Sequence, residues 1–156
     1  RRDVATIRRI MALGLAVLAV TALTLPSTSE AGMQRFQWQN RPLLVFAAGA
    51  EDPALQRQLA IARDHAAGWR ARDMVTIVVA GDRPVTVDGT KAKDLANDTL
   101  RGRFGVTGNS FAAILVGKDG TEKLRRDAPI SAPKLFETID AMPMRQREMR
   151  EQEGES

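Results

Sequence analysis

The sequence predicts an α/β sandwich in which a central mixed β-sheet is flanked by helices. Three observations carry that expectation. Leu43 to Ala48, Met74 to Ala80 and Phe111 to Val116 are short continuous apolar runs, the mark of strands buried on both faces. Between the first two runs, Leu55, Leu59, Ala62, Ala66 and Trp69 recur at spacings of four, three, four and three, which puts one apolar stripe on a helix of about 18 residues. Gly117-Lys118-Asp119-Gly120 then joins the third run to the polar segment Thr121 to Arg125, as a hairpin turn joins antiparallel strands. With 156 residues, 44% of them hydrophobic and 27% charged, the chain suits one ordinary domain with a sizeable core.

The elements follow in order. Residues 1–31 read as a signal peptide: Arg1, Arg2, Arg8 and Arg9 precede the apolar stretch Ile10 to Leu25, Pro26 ends it, and Ser29-Glu30-Ala31 offers small residues for cleavage before Gly32. An uncleaved segment would be the one route to a membrane. Residues 32–144 are the predicted domain. Its first strand enters the helix through Asp52-Pro53, an N-cap acceptor followed by proline at the first helical position. Arg72-Asp73 turns the chain into the second strand, completing a right-handed βαβ unit. Gly81 to Asp94 is a polar excursion with a short extended piece at Val85-Thr86-Val87. Leu95 to Phe104 is a helix that ends at Gly105, a residue suited to a left-handed C-cap. After the hairpin, Ser131 caps a last helix with Leu135, Phe136 and Ile139 facing inward. Pro143 interrupts it, and residues 145–156 are expected to be a charged, fraying extension, in which Arg145, Arg147 and Arg150 alternate with Glu148, Glu151 and Glu153 as on a helix with mixed-sign pairing. A βαβ unit, a helix, a β-hairpin and a closing helix is the order of a thioredoxin-like fold.

Composition excludes several chemistries. With no cysteine, thiol–disulfide exchange, peroxide reduction by a thiolate and thiolate metal sites are impossible. A cysteine-free chain is also compatible with an oxidising compartment. Half of the formal charge of +4 falls in the first 31 residues, and aromatics make up only 4% with no tyrosine, so no nucleic-acid partner is expected. No cofactor and no metal are expected either.

The resemblance is more specific than the element order. Arg41-Pro-Leu-Leu-Val-Phe-Ala, Asp52-Pro53-x-Leu55-x-x-Gln58, Phe104-Gly105-Val106, Leu115-Val116-Gly117-Lys118-Asp119-Gly120 and Ile139-Asp140-x-Met142-Pro143-Met144-Arg145 together resemble a domain-of-unknown-function family of bacterial exported proteins. That family is related to domains of vertebrate extracellular sushi-repeat and coiled-coil-domain proteins. The resemblance covers about residues 36–150 and implies a thioredoxin-like or peroxiredoxin-like fold; it implies no activity.

In that fold the loop after the first strand carries the reactive cysteines at a helix N-terminus. Here it is Ala48, Gly49, Ala50, Glu51 and Asp52. The two carboxylates are read as helix-stabilising groups rather than an acid–base pair. The neighbouring loop Thr107, Gly108, Asn109 and Ser110, before Phe111, lacks the proline that clamps substrates in redox members. Ala48 to Asp52 and Gly108 to Ser110 are therefore the expected contact surface of a non-catalytic binding module, with an envelope protein as its expected partner. His65, the one imidazole, is read as a surface residue, and Gly117 to Gly120 as a turn rather than a phosphate loop. Asp82, Asp88, Asp94 and Asp98 lack the spacing of a calcium loop. Two alternatives stand beside the binding reading: an enzyme using Arg41, Asp52 and Arg101, and Cu(I) binding by Met142, Met144 and Met149.

Overall fold

Strand β1 (Arg41–Ala47) occupies the middle of the molecule, and every one of its residues is buried. In this computed structural model, which describes residues 32–155, it pairs in parallel with β2 (Met74–Ala80) and antiparallel with β5 (Ala112–Val116). The signal segment and cleavage point expected before Gly32 involve residues outside that range. The alternation of side chains along a strand sends Leu43, Val45 and Ala47 to one face of the sheet and Leu44 and Phe46 to the other. Two separate cores result, which is why the apolar runs are continuous rather than alternating.

One core packs under α1 (Pro53–Asp64), α2 (Ala66–Ala71) and α4 (Ala132–Asp140), through Leu55, Trp69, Leu135 and Ile139. The other packs under α3 (Asn97–Phe104), through Leu100 and Phe104, with Met33 and Phe36 from the turn ahead of β1. Strand β6 (Glu122–Arg126) closes one edge against β5. The expected caps are present: Asp52 accepts from the Ala54 N–H at 2.9 Å, Ser131 accepts from the Lys134 N–H, and Gly105 takes the left-handed conformation after α3.

The structure departs from the sequence reading in four places. The single long helix is two, broken at His65, so that α2 is re-aimed toward its neighbours. Trp69 then donates to the Thr76 hydroxyl at 3.2 Å and meets Phe136 edge to face at 5.6 Å. Gly68 lies so close to Phe136 that a Cβ would sit 2.4 Å from its ring. The third helix starts at Asn97 rather than Leu95. The polar excursion is also more ordered than expected. Beside β3 (Thr86–Val87), a second short strand β4 (Thr90–Lys91) forms a two-residue hairpin through Asp88 (φ 48°) and Gly89 (φ 84°), the two positive angles such a turn needs. The hairpin extends the sheet to the order β4-β3-β2-β1-β5-β6.

The fourth departure is the C-terminal segment. It is the helix α5 (Pro143–Gly154), as its charge pattern suggests, but its first two turns are tied to the sheet rather than fraying. Arg145 is buried, and Glu148 accepts from both terminal nitrogens of the buried Arg41, at 3.2 and 3.1 Å, and from Lys118 at 2.7 Å. Lys118 also reaches Asp73, and Arg72 makes a two-point contact with Asp140. Burial raises the Glu148 carboxyl, but the Arg41 and Lys118 bonds outweigh it and hold it below the usual carboxylate range. Asp140 is lowered on the same balance, burial opposed by Arg72 and Arg145.

Candidate functional site

Ala47 ends β1 with a carbonyl that neither β2 nor β5 fully uses. Gly81 donates its N–H to it at 3.1 Å, and Arg101 donates from Nη2 at 3.0 Å. The same Arg101 reaches the Val79 carbonyl with Nη2, the Gly108 carbonyl with Nη1 at 3.0 Å and Asn97 Oδ1 with Nε. Asn97 in turn donates to the Gly81 carbonyl at 2.6 Å. One guanidinium thus fastens the loop after β1 to the loop before β5. The two segments singled out from sequence, Ala48–Asp52 and Gly108–Ser110, are held side by side at this end of the sheet.

Their side chains have little reactivity to spare. Asp52 is spent on the α1 cap, and Glu51 is exposed. Ala50 offers its carbonyl to Gln56 at 2.6 Å, Gly49 has open space where a Cβ would be, and Gly108 to Ser110 form an exposed turn. The alternative acid–base trio does not assemble. Arg41 starts β1 and Asp52 lies beyond its end, so a seven-residue strand, about 20 Å at the usual rise, separates them. General acid and base must reach one substrate, so that enzyme reading falls with the geometry. Arg101, for its part, has no nitrogen left without a protein acceptor.

Several of the remaining candidates are engaged in local contacts. His65 is exposed at the break between α1 and α2, its Nδ1 3.0 Å from the Ile61 carbonyl. In the Asp-rich excursion, Asp88 Oδ1 accepts from the Thr76 N–H and Asp94 pairs with Arg35. Met142 packs against the core under α4. The Gly117–Gly120 segment is a hairpin turn, with Asp119 accepting from the Thr121 N–H and hydroxyl and from Lys123. Burial raises the Asp119 carboxyl, and these bonds more than reverse it.

What the sequence did not disclose is a groove of about 510 Å³ beside the Ala48–Asp52 loop, with Ala50 at its edge. Its wall is the apolar stripe itself. Leu55 and Trp69 are buried, but Leu59, Ala62 and Ala66 are only half-buried and face open space. The floor is one face of β2, namely Met74, Thr76, Val78 and Ala80, continued by Thr86 of β3. The groove exists because the β3–β4 hairpin widens the sheet past the helices, and because the stripe carries alanines where leucines would reach across. Arg63, Arg70 and Arg83 stand on its rim, and none of the three is in an ion pair with a described residue. The Gly108–Ser110 turn does not border it; Ser110 lines a separate cavity of about 200 Å³. An apolar stripe reads the same whether it faces a core or a cleft, so periodicity could not separate the two. The two alanines and the Asp-Gly turn were the available signals.

Among the described residues, no helix is long and apolar enough to cross a membrane. Comparison with known proteins agrees with the architecture. The chain is 26% identical over 140 residues to the coiled-coil domain-containing protein 80 of Danio rerio, a match that covers 80% of this chain and 16% of that protein's length. The reduced 2-Cys peroxiredoxin of Plasmodium vivax superposes with a TM-score of 0.53 at 13% identity, covering 72% of this chain and 83% of the peroxiredoxin. At that identity the likeness concerns the fold alone, and it establishes the sandwich as thioredoxin-like although this chain has no cysteine. The model of the family described as Domain of unknown function (DUF4174) matches residues 32–148, and the chain belongs to that family.

Proposed function

We propose that this chain is an exported, non-catalytic binding module that contacts an envelope protein through the end of the sheet where β1 stops. One observation carries the reading: at that end Asp52 and Arg101 are already committed to structure, and Glu51 stands exposed on the loop rather than paired with either. Asp52 caps α1, Arg101 donates to four oxygen acceptors, and the loop where a thioredoxin fold keeps its sulfur is Ala48-Gly49-Ala50. What remains presented is loop backbone on a rigid scaffold, the usual location of a recognition surface. Export rests on the composition of residues 1–31, with its arginine start, apolar stretch and small residues before Gly32.

Gly49 gives the cleanest test, because a Cβ there meets nothing within 4 Å and the position has no left-handed backbone angle to strain. Partner recovery from envelope fractions is compared for the wild-type chain and Gly49→Trp. The expected result is a loss of roughly tenfold or more in the variant. Equal recovery would remove the β1 end as the contact surface.

A further inference from the structure

Resting on the binding reading above, the geometry points to the groove between α1–α2 and β2–β3 as a site for a free anionic amphiphile, an apolar body carrying one carboxylate or similar head. The volume, about 510 Å³, lies within the roughly 300–1,000 Å³ that small-molecule sites occupy. Leu59, Trp69 and Val78 provide apolar contact, and Ala62 and Ala66 leave the space unfilled.

Two features select the ligand class. Below the arginine rim, the polar groups of Thr76 on the β2 floor are used: its hydroxyl accepts from Trp69, and its N–H donates to Asp88. A peptide backbone laid there would bury unsatisfied N–H and C=O groups, which is costly, whereas hydrocarbon asks for nothing. The rim is cationic, with three arginines in no ion pair with a described residue, against one lining carboxylate, Asp88, that already holds a backbone N–H. An acidic head at the mouth of the groove is therefore favoured over a neutral or basic one.

Trp69 in the wall makes the site observable. In the full chain carrying Trp38→Phe, which removes the exposed second tryptophan, Trp69 emission is followed during titration with decanoate and with decyltrimethylammonium, both below micelle formation. The expected result is a saturable shift with decanoate, at least roughly tenfold weaker binding of the cation, and weaker decanoate binding at high salt. Ala62→Leu with Ala66→Leu should abolish the shift, and Arg70→Gln should weaken decanoate without weakening the cation. Equal affinity for the two amphiphiles, a response only above the micelle concentration, or binding that survives the filled groove would each overturn the assignment. Gly49 does not line the groove, so the Gly49→Trp capture result stands or falls separately from this one.

Discussion

Gln58 is fully buried on α1 and closes a two-bond clamp with a single residue 72 positions away. Its Nε2 donates to the Ile130 carbonyl at 3.1 Å, and its Oε1 accepts from the Ile130 N–H at 2.7 Å. An amide satisfied in this way fixes where the chain enters α4. Gln58→Leu keeps most of the volume but strands a buried donor and a buried acceptor. It should lower stability by about 2 kcal/mol or more, read as a lower urea midpoint with an unchanged slope. A midpoint equal to wild type would show that the clamp carries no weight. Gln58 stood in the motif that suggested the family, yet its partner could not be read from the sequence, because nothing local points to Ile130. Asp52 is the opposite case: its acceptor serves an N–H two residues on, so Asp-Pro before an apolar stripe was enough.

At the scale of elements, the docking of α5 was the least legible part. A run mixing Arg145, Arg147 and Arg150 with Glu148, Glu151 and Glu153 looks like a solvated helix, and the sequence contains no sign that one glutamate answers a buried arginine 107 positions earlier. That contact has a pH signature. The folded Glu148 carboxyl releases its proton below its ordinary value of 4.5, so its ion contributes stability above that value and loses it as the pH falls through the lower folded one. Glu148→Gln should therefore be less stable than wild type at neutral pH, with the difference shrinking as the solution is acidified below 4.5. Parallel stability curves would mean that Arg41 and Lys118 do not depend on this carboxylate. The strands were legible for a simpler reason. Burial on both faces leaves a continuous Val, Ile and Leu run that no helix of similar length reproduces with these flanking turns.

For the molecule as a whole, the thioredoxin-like frame has no cysteine in the loop after β1 and has an open apolar groove beside that loop. The order of elements was legible because each is specified locally, by a cap, a turn or a buried run. The groove was not, because it depends on the width of the sheet relative to the helices that cover it, a tertiary property. The same stripe that announces α1 and α2 is both core and cleft: Leu55 and Trp69 are buried, and Ala62 and Ala66 are not. The most direct measurement is urea unfolding of the full chain carrying Ala62→Leu and Ala66→Leu. If the stripe faces open space, the added side chains enter it without strain and the midpoint is equal to wild type or higher. A loss of about 1–3 kcal/mol, as overpacking a closed core costs, would mean that no site exists there.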